Sequence, residues 1–181
     1  RATGSEANVA FAMSKQGIVS DYEGDFATGL RHHLEAQRGF ERVGDPAGVG
    51  YAMSRASLST YSLGDYEASL QYARAGLDAF GSINHGWGML TSRCRTAFAH
   101  LGLGDLAEAR RDFIEVLAGA TEGKMRYLVL YALTGIAAVL AREGELHRAA
   151  TILAAALDDP GQLPQYRVAT NEELERLSGS L

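Results

Sequence analysis

The chain has 181 residues, 46% of them hydrophobic, with a formal net charge of −5 and a pI near 5.5. That acidic balance disfavours general affinity for nucleic acid or an anionic membrane, since both need a basic surface to release counterions or meet acidic headgroups. No apolar run reaches the roughly 18 residues of a membrane span, and the lone Cys94 cannot form an internal disulfide, so a reducing, cytoplasmic setting is expected.

In chain order, a glycine, an acid and a large apolar residue first meet at Gly24-Asp25-Phe26. The same triplet returns at an interval of 40 residues as Gly64-Asp65-Tyr66, Gly104-Asp105-Leu106 and Gly144-Glu145-Leu146. Residues seven before each glycine stay small (Gly17, Ser57, Ala97, Ala137), as do those twelve before (Ala12, Ala52, Ser92, Ala132) and five after (Gly29, Ser69, Ala109, Ala149). Small side chains on both sides of a turn let two helices close into a hairpin without overpacking. Glycine tolerates the left-handed conformation that ends a helix, and the acid after it can cap the next one. Asp105 with Glu108 spells an acidic capping box.

This pattern predicts four repeats, about 5–43, 44–83, 84–123 and 124–159, each a helix, a turn and a helix. The breaks between them fall at Gly44-Asp45-Pro46, at Gly81 to Gly86 and at Glu122-Gly123-Lys124, with Asp45 an N-cap before proline at the first helical position. After Pro160 the repeat stops, and Thr170 with Glu173 marks a short capping helix within 160–181. Opening on Arg1 rather than methionine, the chain is expected to be a piece of a larger polypeptide whose first helix packs on material outside it.

Over roughly residues 7 to 158 the pattern resembles the tetratricopeptide repeat: small at seven before the glycine, Gly-Asp-Tyr at the turn, small again five after. It departs in its 40-residue interval, longer than the family's usual 34, and in carrying Met13, Met53, Arg93 and Leu133 where a bulky aromatic is usual. The resemblance implies an all-α, right-handed α-α superhelix of four hairpins with a C-terminal capping helix. Long-helix repeats of this kind are similar to those in bacterial signal-transduction ATPases and in LuxR-type or SARP-type transcriptional regulators. The run Ala149 to Leu157 followed by Pro160 is similar to how those polypeptides finish. The implied function is non-catalytic recognition of a protein or peptide by the sensor or scaffold region of a larger regulator.

In such an array the first helices line the concave face. Nine before each glycine stand Lys15, Arg55, Arg95 and Gly135, and thirteen before stand Phe11, Tyr51, Thr91 and Tyr131, with Tyr22 and Tyr61 further along. Cations beside phenol rings at helical spacing suit an acidic peptide or phosphorylated segment. The plainer reading makes the cations a solvated face paired with acids such as Asp21, and the aromatics packing between repeats. Trp87, between Gly86 and Gly88, is a candidate self-association contact, although such a ring more often serves as an inter-repeat core ring, here against Phe80 and Ile83. Two further functions stay open, a small-molecule or signalling-peptide sensor and an oligomerisation scaffold.

Catalytic motifs fail one by one. Gly102 to Ala107 spells a loose GxGxxA without the preceding strand a dinucleotide needs, and Gly119 to Lys124 is a residue short of a phosphate loop. His32 and His33 point about 100° apart on a helix, while His85, His100 and His147 are isolated and no metal or nucleophile motif surrounds them. No enzyme activity, cofactor or metal is expected, and Cys94 is expected in helix packing.

Overall fold

The computed structural model describes residues 2–157, with side chains from residue 5 onward. The expected cap at 160–181, with Thr170 and Glu173, lies outside the described residues, as do the last two residues of the fourth repeat. Among the described residues there are eight α-helices and no strand: α1 (Ala2–Tyr22), α2 (Phe26–Val43), α3 (Pro46–Ser62), α4 (Tyr66–Gly81), α5 (Gly86–Leu103), α6 (Leu106–Glu122), α7 (Arg126–Arg142) and α8 (Leu146–Leu157). No described helix is long and apolar enough to cross a membrane.

The four corners share a left-handed glycine. At Gly24, Gly64, Gly104 and Gly144 φ lies between 81° and 85°, the left-handed region in which a side chain would be strained. The amides of Gly24 and Asp25 bond back to Asp21 O and Ser20 O, which satisfies carbonyls that a helix end leaves open. Asp25 and Asp65 then cap the next helix, accepting from Thr28 N at 3.1 Å and Ala68 N at 3.0 Å. The breaks between repeats use the same motif with Gly44, Asn84 and Lys124 at φ 69°, 53° and 54°. There Asp45 accepts from Gly48 N, and His85 accepts from Gly88 N through Nδ1, each at 3.0 Å. The capping box at Asp105 does not form: Asp105 stands at the N-cap without a cap hydrogen bond from its side chain, and the Glu108 carboxylate turns to Arg111 on the same helix.

The chain divides into two compact units, Arg1–Gly104 and Asp105–Leu181, so the boundary falls at the corner of the third expected repeat. In the first unit α1 packs on α2 and α3, α3 on α2, α4 and α5, and α4 on α5. In the second, α6 packs on α7 and α7 on α8.

Small residues close the first, second and fourth hairpins. A Cβ on Gly29 would stand 3.2 Å from Gly17 O, and Ser69 Oγ donates to Ser57 O at 2.9 Å across the second hairpin. Ala137, Leu140, Ala149 and Leu153 form the core between α7 and α8. The alanine twelve before the glycine serves a different contact, because Ala52 clusters with Ala10, Ala36 and Phe40 of the preceding hairpin. Ala12, its counterpart on α1, is exposed.

The junctions between successive helices conserve volume rather than residue type. Phe40 packs over Gly48 and Phe80 over Gly88, and a Cβ on either glycine would overlap the ring. At the same register in the second unit the large and small partners have exchanged helices, with Ala120 and Leu128 both buried. Dense interiors tolerate such exchanges when the summed volume holds.

Candidate functional site

The three expected groove cations, Lys15, Arg55 and Arg95, sit on α1, α3 and α5 of the first unit, where α3 adjoins both of the others. On α1 the Lys15 Nζ lies 4.8 Å from the centroid of the Phe11 ring. One repeat later the Arg55 guanidinium lies 5.5 Å from the Tyr51 ring and donates to Tyr51 Oη at 3.4 Å. Each pair is four residues apart, so one helix carries both members and the ring steadies the cation, an effect of about 0.5–1 kcal/mol at an exposed site. On α5 the ring is replaced by Thr91, whose hydroxyl donates to Trp87 O, and Arg95 is half-buried. In the second unit the fourth rung is absent, because the buried Phe113 ring occupies the space beside Gly135. Tyr131 is half-buried there.

Neither Lys15 nor Arg55 has a carboxylate partner among the described residues. Asp21, the acid expected to pair with that face, turns inward instead. Its Oδ2 meets His33 Nε2 at 2.9 Å and its Oδ1 accepts from Ser59 Oγ at 2.8 Å, joining α1, α2 and α3 through a carboxylate only 7% exposed. Gly17 and Gly29 make the room, since a Cβ on the first would overlap the imidazole and one on the second would overlap the carboxylate. The carboxylate stands between the two other groups, so the serine is not paired with the histidine as a nucleophile needs.

The aromatics separate into two groups. Phe11 is 56% and Tyr22 71% exposed, while Tyr51 is half-buried beside Arg55. Tyr61 belongs to packing rather than to the exposed stripe: its ring lies 5.3 Å from Tyr66 and 6.0 Å from Phe98, and Tyr66 covers Gly102. Trp87 does not fill the junction near Phe80 and Ile83. Phe80 fills it, stacked on His85 at 5.2 Å, and Trp87 meets the edge of His85 while staying 39% exposed. Cys94 is buried in α5.

A groove of about 540 Å³ beside Lys15 is lined by Gln16, Val19, Ser20 and His32, and a second of about 460 Å³ follows α2 past Arg31, Glu35, Arg38 and Arg42. Neither is lined by several first helices. Asp25 is held below the ordinary aspartate range by hydrogen bonds from the Thr28 amide and hydroxyl, helped by the charges of Arg31 and His32. No group of three His, Cys, Asp or Glu able to hold a metal occurs among the described residues. The sequence matches no protein-family model and no curated protein significantly.

Proposed function

We propose that the chain is a non-catalytic recognition domain of tetratricopeptide-like repeats stacked as a right-handed solenoid. Its first helices receive an acidic or phosphorylated peptide segment of a protein partner. The observation that supports this reading is the repeated rung of Phe11 with Lys15 and Tyr51 with Arg55, cations held over rings with no carboxylate partner among the described residues. Arg95 on the adjoining α5 extends the row. A carboxylate or phosphate laid across these helices would gain charge-assisted hydrogen bonds, and the rings would take its apolar neighbours. The role as sensor or scaffold of a larger cytoplasmic regulator rests on the resemblance.

The test is simultaneous replacement of Lys15, Arg55 and Arg95 by glutamate, with fluorescence anisotropy against a panel of acidic and phosphoserine peptides. At least a tenfold loss of affinity in a chain of unchanged helicity and Tm is expected, about 1.4 kcal/mol. Equal affinity in the folded triple variant would remove the proposed contact. Small-angle scattering tests the solenoid separately, through an elongated envelope.

A further inference from the structure

Each first helix of a repeat carries a stripe at 15, 12, 8 and 5 residues before its corner glycine. On α3 the stripe is Val49, Ala52, Ala56 and Ser59, and on α5 it is Met89, Ser92, Thr96 and Ala99. Ala52, Ala56, Ser59, Ser92 and Ala99 are each 0% exposed. What covers α3 is the hairpin before it, through Ala10, Met13, Ala36 and Phe40. On α1 the same stripe reads Val9, Ala12, Gln16 and Val19, and here Val9 is 52% and Val19 55% exposed, with Ala12 and Gln16 open as well.

A second observation concerns the corner. Gly44-Asp45, Asn84-His85 and Lys124-Met125 each end one hairpin with a positive φ and begin the next, and 40 residues before the first of them stand Gly4 and Ser5. Glycine and serine are the residues that such a corner favours, one for the left-handed turn and one for the cap. Yet α1 runs without a break from Ala2, four residues before the register at which α3, α5 and α7 begin.

We propose that the exposed stripe of α1 is the docking face for one further hairpin of this repeat class, carried on the same polypeptide and joined at Gly4-Ser5. Its chemistry follows from the register. Ser59 on α3 donates to Asp21, but Val19 stands in place of Ser59, so the added hairpin presents an apolar residue where Asp21 stands. Gly48 and Gly88 admit the rings of Phe40 and Phe80, but the exposed Asn8 stands in their place on α1, so a shorter side chain replaces the ring. A second copy of this chain fits less well. Antiparallel pairing of two α1 helices would set Val9 on Val19 but would also place Lys15 near its own symmetry mate, and facing like charges disfavour it.

The inference rests on the repeat reading and not on the peptide groove, so its test uses no peptide. A copy of residues 44–83 carrying Phe80→Leu is fused directly ahead of Gly4, which keeps the 40-residue register and sets Tyr61 of the copy opposite Val19. Amide exchange of α1 should slow by about tenfold or more, and the chain should stay monomeric. Val19→Asp should abolish that protection in the fused chain while leaving the Tm of the unfused chain unchanged. Unchanged exchange of α1, or an added hairpin that exchanges as an unfolded segment, would overturn the proposal. So would an unfused chain that sediments as a dimer and is returned to monomer by Val19→Asp, since the stripe would then belong to a second copy.

Discussion

His33 Nε2 lies 2.9 Å from Asp21 Oδ2 with the imidazole wholly buried, and no other repeat has this pair: the equivalent positions are Tyr61 with Ala73, Leu101 with Phe113 and Ala141 with Leu153. The carboxylate makes Nε2 a proton-bearing nitrogen of the ring, and Nδ1 is left inside the protein without a partner. Removing the ring would strand a buried carboxylate on Ser59 alone. His33→Ala should therefore cost about 3 kcal/mol in urea unfolding. Asp21→Asn, which keeps the shape and can still accept from the ring, should cost less in the same titrations.

Phe80 and Gly88 form one packing unit. Phe80→Ala should destabilise by about 3–5 kcal/mol, since the cavity it leaves is walled by helix backbone. Gly88→Ala alone should cost about 1–3 kcal/mol because its Cβ would overlap the ring. The double change Phe80→Ala with Gly88→Leu recreates the buried Ala120 and Leu128 arrangement, and should recover part of the loss. Equal, additive losses in denaturant titrations would show that the two positions are not coupled.

The corners were legible in the sequence because their causes are local: a left-handed glycine and a capping acid act within one turn of the chain. Gly24, Gly64, Gly104 and Gly144 all adopt the expected positive φ. The choice of what fills a junction was not legible, because it depends on residues one repeat away. Trp87 was the obvious large ring, but Phe80 is admitted by Gly88 and Gly50 on two helices, and Trp87 is left half-exposed. Asp21 looked like a surface partner for cations because its two acceptors' donors, His33 and Ser59, are 12 and 38 residues away. Gly17, smaller than Ser57, Ala97 and Ala137, was the one signal that something large had entered beside α1. His85 as an N-cap carries no sequence signature, since an imidazole can accept only in the tautomer that bares Nδ1.

Asp25 gives a pH dependence with a defined sign. Its pKa is lowered in the folded chain, first by the hydrogen bond from the Thr28 amide, so the ionised cap favours the folded state above the unfolded aspartate pKa. That contribution falls as pH drops through the lower, folded value. A carboxyl-carbon NMR titration should find the Asp25 midpoint below that of an aspartate in an unstructured peptide, and Thr28→Pro, which removes the amide donor, should raise it. Thermal unfolding of Asp25→Ala should differ from the parent near neutral pH and converge with it in acid.

Gly135 ends the row of cations for a steric reason, and the reason can be engineered. A Cβ there would overlap the Phe113 ring, which is 0% exposed on α6. One repeat earlier the same two positions are Ala73 and Arg95, a small residue against a long cation. Gly135→Arg should then destabilise by at least about 1–3 kcal/mol through overpacking, and Phe113→Ala by about 3–5 kcal/mol through the cavity it opens. Combined, they restore the volume pairing of the preceding repeat, with the arginine stem lying over the vacated space and its head in water. The double variant should be more stable than the sum of the two losses allows, by about 1 kcal/mol or more in a double-mutant cycle. Strict additivity would mean that the glycine was set by something other than the ring.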